Sequence, residues 1–241
     1  MIGVYDYTVI LTYLSMISGC TGIIISMTGM GHPYVGALFL MFSGLCDAFD
    51  GRVARAKKNR TPLEKAFGVQ IDSLSDLIAF GVLPAAIGVA MLRVSTRFSD
   101  RPYWMTETKY VWYPILLVAI AVAYILAGLI RLAYFNATEE QRNEEAAIKG
   151  SQYFTGLPIT TASLVFPLIL ILHYFIGFDF SIVYFITLLV LAVLFLSSFK
   201  MKKPGKAGIM IQVVIGVVEF VIIVCILVAS IPNMPAFFLV K

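Results

Sequence analysis

Charge is what this sequence has least of. Only 13% of its 241 residues are Asp, Glu, Lys or Arg, whereas 60% are hydrophobic and the mean hydropathy is +0.90. An ordinary soluble domain carries about twice that share of charge, so the composition excludes one and fits a helical protein that crosses a membrane several times. The three cysteines, Cys20, Cys46 and Cys225, lie in apolar runs without CxxC spacing. A disulfide framework and a zinc site are thereby excluded, and the three read as small core residues. The two histidines, His32 in a loop and His173 deep in an apolar run, are not placed like metal ligands. Net charge is only +4, and the basic residues gather between apolar runs. They report membrane topology, and no nucleic-acid partner is expected. The opening MIGVYDY lacks the basic region of a cleavable signal. No tandem repeat appears and the loops are too short for a second folded unit, so residues 1–241 are expected to form one integral membrane domain.

Seven apolar runs are long enough to span a bilayer, at 7–27, 34–53, 69–92, 111–132, 157–177, 182–199 and 209–229. The expected fold is all-α, a polytopic bundle of six to eight spans. Three basic loops, RAKKNRTPLEK after the second run, 137–153 and 200–206, fall on one side; Arg93, Arg97, Arg101 and Lys109 fall on the other. By the excess of positive charge the first side, with the amino terminus, is cytoplasmic. The tail SIPNMPAFFLVK is apolar enough to re-enter the membrane or lie along it. Thr61, Pro62 and Glu64 supply an N-cap, a first-turn proline and a first-turn acid, so the third helix begins before it enters lipid.

Against that apolar background stand four aspartates. Asp47, Asp50, Gly51 and Ala54 share one face of the second helix, and Gly68, Asp72 and Asp76, each four apart, share one face of the third. An aspartate at the bilayer centre costs about 2.5–3.5 kcal/mol, so four cost roughly 10 kcal/mol unless something compensates them. Crowded hard oxygen ligands are what magnesium, manganese or calcium bind, so one or two divalent cations are the first inference. Antiparallel packing brings the four together at the cytoplasmic end. Gly51 and Gly68 would let a substrate approach the backbone, or would simply allow close helix packing. Arg55, one turn beyond Gly51, suits a phosphate, or snorkels to the interface. Together these features suggest chemistry on a pyrophosphate whose other part lies in lipid. Asp76, farthest along the third run, is the candidate general base for an incoming hydroxyl.

The pattern Asp47-x2-Asp50-Gly51-x2-Ala54-Arg55 followed by Gly68-x3-Asp72-x3-Asp76 resembles the signature of the CDP-alcohol phosphotransferase family. Those are integral membrane enzymes that move a phosphatidyl-type group from a CDP-linked lipid to an alcohol. The resemblance implies that Asp47, Asp50 and Asp72 bind metal, that Asp76 also approaches it and acts as base, and that Gly51, Ala54, Arg55 and Gly68 hold the CDP moiety. It implies Mg2+ or Mn2+, two ions, with Ca2+ as substitute or inhibitor, and a homodimer in the cell membrane. Twelve residues separate Arg55 from Gly68, more than the family's usual gap. That longer loop, with Phe67–Pro84, Arg131–Asn136 and Phe154–Pro158, resembles the phosphatidylserine synthase branch, although Tyr134 stands where that branch often has arginine. The implied substrates are CDP-diacylglycerol, or CDP-archaeol, and L-serine, giving phosphatidylserine and CMP. Thr12 and Ser15 lie where the wider family often has Asn, and Ser15 receives no role.

Serine's carboxylate calls for a buried cation. Arg131 is the candidate, with Asn136, Gln70 and Ser73 as further acceptor contacts; charge balance for Arg131 and helix capping by Asn136 are the bland alternatives. Sister enzymes that accept glycerol phosphate or inositol phosphate need a further basic pocket. An aspartate-rich membrane prenyltransferase fits the asymmetric pair of motifs poorly. An ion-coupled transporter predicts internal inverted symmetry and broken helices in both halves, whereas the acids read as concentrated in one region.

Overall fold

The computed structural model describes residues 3–28, 33–94, 112–138, 153–202 and 206–230. Helix α1 (Ile10–Thr28) leads to α2 (Pro33–Ala56), and a polar loop leads to α3 (Pro62–Asp76). A π-helical turn, Leu77–Val82, carries α3 directly into α4 (Leu83–Val94), so that Pro62–Leu92 is one candidate span of 31 residues. Then follow α5 (Trp112–Ala137), α6 (Ala162–Ile176), α7 (Ser181–Leu196) and α8 (Lys206–Ser230). Six of the resulting rods are long and apolar enough to cross a membrane. The exception, α7, has 16 residues and rises about 24 Å, somewhat less than the ~30 Å of a hydrocarbon core. Each of the seven expected runs has its helix, and the protein is a multi-pass helical membrane protein.

The sequence signals at the start of α3 act as expected. Thr61 Oγ1 accepts from the Glu64 N–H at 3.2 Å and Glu64 Oε2 accepts from the Thr61 N–H at 2.7 Å, with Pro62 in the first turn. Lys57 Nζ donates to Glu64 Oε1 at 2.8 Å and also to Asp6, which ties the amino-terminal segment to this loop. The Lys57 hydrogen bond, and then those from Thr8, hold the Asp6 carboxyl down at about 2. A depressed carboxylate stabilises the fold above its unfolded value near 4, and that contribution fades as pH falls toward 2. The clamp is therefore closed throughout the physiological range.

Two short strands, β1 (Tyr153–Thr155) and β2 (Lys200–Lys202), pair antiparallel with Phe154 opposite Met201. Sequence periodicity shows no such ribbon, because three residues are too few to display alternation. It joins the loops before α6 and α8, so both lie on one side, as the topology requires. Gly156 makes the corner after β1: its φ is +73°, and a Cβ there would stand 2.6 Å from the Ser197 carbonyl.

The core lies where α5, α6 and α7 meet the α3–α4 rod. Tyr124, Phe166, Tyr184 and Phe195 are fully buried, with Tyr124 5.8 Å from Phe166 and Phe166 4.7 Å from Tyr184 between ring centroids. Both tyrosine hydroxyls hold the rod. Pro84 has no N–H to give the Phe80 carbonyl four residues back, and its ring crowds that carbonyl. The chain responds with the wider turn, in which Leu83 N–H donates to Ile78 O, while Tyr124 OH donates to Phe80 O at 2.6 Å. Tyr184 OH donates to Pro84 O at 2.9 Å.

Three expectations need correction. Cys225 is exposed on α8, not in the core; Cys46 is buried and Cys20 half-buried. His173 lies in the last turn of α6, where Nδ1 meets Phe178 O at 2.8 Å, so it is not deep in its run. Acids are not confined to one region either. Glu219 on α8 is buried, its Oε2 without a hydrogen-bond partner among the described residues. One carboxyl in a 25-residue apolar helix leaves the average hydropathy almost untouched, which hid it. Residues 29–32 and 95–111, with His32, Arg97, Arg101 and Lys109, lie outside the described residues, as do most of 137–153 and the tail beyond Ser230.

Replacing Tyr124 by Phe keeps the ring and leaves the Phe80 carbonyl without its donor. It is expected to cost about 1–3 kcal/mol, read as a lower melting temperature in detergent. A Tyr124→Phe protein melting with the wild type would mean that the π turn satisfies this carbonyl by itself.

Candidate active site

Helix α1 joins the two aspartate-bearing helices through serine and threonine side chains. Ser18 Oγ donates to Phe39 O at 2.7 Å and Ser43 Oγ to Ser15 O at 3.1 Å, fixing α1 to α2. Ser75 Oγ donates to Thr12 O at 3.1 Å, fixing α3 to α1. Small residues permit the close approach: a Cβ on Gly19 would come within 3.1 Å of Ala79 Cα, and one on Gly44 within 2.5 Å of Ser163 Oγ.

In the crevice that results, Asp47, Asp50 and Asp72 each turn a carboxylate oxygen to a common point, these atoms lying within 4.8 Å of one another. Thr12 Oγ1 donates to Asp50 Oδ2 at 3.4 Å. Asp76 stands outside this triad, one turn farther along α3 and buried, where the helix passes into its π turn. Such turns cluster at functional sites because the extra residue re-aims nearby side chains.

Two full negative charges at this separation repel by about 3–4 kcal/mol even at an effective dielectric constant of 20. A cation between them reverses the sign. Oxygens bound to one Mg2+, Mn2+ or Ca2+ at 2.0–2.6 Å are at most about 4–5 Å apart, so the triad fits a divalent ion with little movement. The donor set is all carboxylate, the hard-ligand chemistry these ions select.

Gly51 and Gly68 differ from the glycines that pack helices. The nearest atoms to a Cβ on Gly51 belong to the Arg55 guanidinium, at 3.4 Å, and the nearest to one on Gly68 to Arg60 Nη2, at 2.6 Å. Among the described residues, side chains and not a neighbouring backbone stand nearest to both faces. Ala54 is half-buried and Arg55 exposed at the end of α2.

Of the acceptor candidates, the structure brings Asn136 and Ser73 together: Asn136 Nδ2 donates to Ser73 Oγ at 2.8 Å, linking α5 to α3 beside the aspartate face. Arg131 is buried on α5. Its Nε donates to Leu157 O at 3.2 Å and its guanidinium lies 5.3 Å from the Phe135 ring centroid, against the corner that follows β1. Gln70 is exposed, on the opposite side of α3 from Gly68 and Asp72. Sequence reasoning missed Thr12 as a neighbour of Asp50 and Arg60 as a neighbour of Gly68. Both approach from other elements, so no spacing within one helix reveals them.

The family profile of CDP-alcohol phosphatidyltransferases matches residues 8–196, from the start of the first helix to the end of α7. This chain belongs to that family. It is 38% identical over 162 residues to the CDP-diacylglycerol--serine O-phosphatidyltransferase of Saccharomyces cerevisiae, an overlap of 64% of this chain and 50% of the yeast protein. It is 27% identical over 199 residues to the archaetidylserine synthase of Methanothermobacter thermautotrophicus, covering 83% of this chain and 70% of that one. A CDP-diacylglycerol--serine O-phosphatidyltransferase of Helicobacter pylori is 30% identical over 142 residues, 58% and 48% of the two chains. The chain thus spans about half the length of the yeast and Helicobacter relatives. No solved structure matches it.

The triad makes a thermodynamic prediction. In a chelator, Asp72→Asn relieves repulsion and is expected to melt at or above the wild-type temperature. With Mn2+ at about a hundredfold over its dissociation constant the wild type gains about 2.7 kcal/mol and the variant little, so the order reverses. Equal Mn2+ stabilisation of both proteins would remove Asp72 from the ligand set.

Proposed function

We propose that this protein transfers the phosphatidyl-type group of a CDP-linked membrane lipid to the hydroxyl of L-serine and releases CMP. The observation that carries the reading is the carboxylate triad of Asp47, Asp50 and Asp72 beside two glycine faces left open by the helix packing. Serine as acceptor is supported by the printed names of the yeast, Methanothermobacter and Helicobacter relatives. Those names include both diacylglycerol and archaetidyl lipids, so the donor is CDP-diacylglycerol or CDP-archaeol. The excess of Lys and Arg in the loops on that side supports a site at the cytoplasmic face of the cell membrane. The family resemblance supports a homodimer built from a single membrane domain over residues 1–241.

Asp47, Asp50 and Asp72 would hold Mg2+ or Mn2+, one ion or two. Bound there, the metal neutralises the diphosphate and the charge that develops on the leaving phosphate. Gly51, Ala54 and Gly68 let the nucleotide lie against the backbones of α2 and α3, and Arg55 meets its phosphates in a guanidinium fork. Asp76, set apart from the triad, takes the proton of the serine hydroxyl. The oxygen of that hydroxyl then bonds to the lipid-side phosphorus, and the bond from this phosphorus to the oxygen of CMP breaks. Arg131 pairs with the serine carboxylate. Asn136 and Ser73, already bonded to each other, orient the amino acid from the α5 side; Gln70, which faces away from the aspartates, takes no part.

The test is headgroup analysis of the lipid made by purified protein with Mn2+ and each CDP-lipid, offered serine, glycerol phosphate and inositol phosphate together. Incorporation of serine is expected. Incorporation of a phosphorylated alcohol alone would move the protein to a sister activity. Asp76→Asn should lose about 10²–10⁴-fold in turnover while still binding CDP-lipid, the range of a general base. Wild-type turnover in that variant would transfer the base role elsewhere.

A further inference from the structure

Arg60 belongs to no element of the family signature quoted above, yet its guanidinium occupies the signature's second half. It lies in the long loop between α2 and α3, one residue before the N-cap. Its Nη2 would be 2.6 Å from a Cβ on Gly68, so the fork rests directly against that glycine's open side. Gly68 shares its face with Asp72 and Asp76, which places the guanidinium on the aspartate face of α3, one turn outside the triad. The position is fixed. Arg60 Nη2 donates to Glu64 O at 3.0 Å, Glu64 is clamped by Lys57, and Lys57 is clamped by Asp6.

The group is nevertheless incomplete. Arg60 Nε is buried and has no acceptor among the described residues. A buried donor left without an acceptor costs free energy and calls for an explanation. What fits is a ligand that enters over Gly68 and brings acceptor atoms of its own.

We infer that Arg60 holds the nucleoside end of the donor, its guanidinium donating to the acceptor atoms of the cytidine while the diphosphate lies one turn deeper at the triad. The inference rests on the proposed function and deepens it. Two features select the nucleoside over the diphosphate. The fork is displaced from the triad toward the polar loop, as the water-soluble end of a lipid nucleotide must be. Cytosine also presents adjacent acceptors, O2 and N3, which match a planar pair of N–H donors. Uracil carries a hydrogen on N3 and does not. Arg55, beside Gly51 on α2, is then left for the phosphates and Arg60, beside Gly68 on α3, for the nucleoside.

The experiment is calorimetric titration of the full-length protein in detergent with Mn2+, using CDP, UDP and inorganic pyrophosphate as probes. For the wild type, CDP should bind more tightly than UDP. In Arg60→Ala and Arg60→Gln, CDP affinity should fall at least about tenfold, the scale of one hydrogen bond to a charged group, and the preference over UDP should shrink, with pyrophosphate affinity unchanged. Lys57→Ala, which loosens the same loop without touching Gly68, should preserve the CDP-to-UDP ratio. Equal losses for CDP and pyrophosphate would make Arg60 a phosphate contact and overturn the assignment. Unchanged CDP affinity in both Arg60 variants would overturn it too, as would a loss of the CDP-to-UDP preference in Lys57→Ala equal to theirs. A wild-type protein that binds no CDP would sink the proposed function itself, a separate outcome. Melting temperatures measured alongside separate loss of fold from loss of contact.

Discussion

Mutual repulsion of carboxylates in a low-dielectric setting is the constraint that the rest of the structure answers. Asp47, Asp50 and Asp72 converge within 4.8 Å, and helices free to move would part to relieve that. They are not free. Ser43 and Ser18 fasten α2 to α1, Ser75 fastens α3 to the same helix, and Tyr124 and Tyr184 grip the far side of the α3–α4 rod. Each of these bonds ends on a backbone carbonyl, which cannot rotate away as a side-chain partner can. The crevice is held ready for cations by contacts that gain nothing from them. That is the arrangement a metal-assisted site needs if it is to lose and rebind ions without coming apart.

Periodicity along one helix made most of this legible. Spacings of three and four put the aspartates on two faces, and the run lengths gave the membrane rods. Thr61, Pro62 and Glu64 marked a helix start that the structure reproduces bond by bond. Contacts made between helices were invisible. Thr12 reads as one more threonine in an apolar run, and only the fold shows its hydroxyl near Asp50 and its carbonyl under Ser75. The π turn follows from Pro84 only when a partner for the Phe80 carbonyl is known, and Tyr124 is 44 residues away. Glu219 and Cys225 failed for a third reason: an average over a long apolar helix says nothing about which way one of its residues faces.

The two kinds of glycine carry a further lesson about sequence signals. In a membrane bundle a glycine at regular spacing means close helix packing in many cases, and Gly19, Gly22, Gly36 and Gly44 obey that rule. Gly51 and Gly68 have the same surroundings in sequence but are flanked by guanidinium groups instead of a neighbouring helix. Both lie toward the polar ends of their helices, where Arg55 of the last turn of α2 and Arg60 of the connecting loop reach over them. A glycine covered by a guanidinium is covered by a group that itself attracts an anion.

Depth then separates the three acids of the triad from the fourth. The rod from Pro62 to Leu92 has 31 residues and is about 46 Å long, roughly 16 Å more than the hydrocarbon core. Its start carries the exposed Lys65 and the capping Glu64, whereas an apolar run leads up to Leu92, so the excess projects from the start. Ten residues, about 15 Å, separate Pro62 from Asp72, which puts Asp72 near the boundary between headgroups and oil. Asp50 lies six residues, about 9 Å, before the end of α2, on the same side of the membrane. Asp50 and Asp72 thus lie nearer the edge of the bilayer than its midplane, and a charge there costs less than one at the midplane. Asp76 is one turn deeper, about 6 Å, shielded by the bundle. In the proposed reaction a carboxyl there would meet the lipid side of a diphosphate held at the triad, with the nucleotide end extending outward past Gly68 toward Arg60.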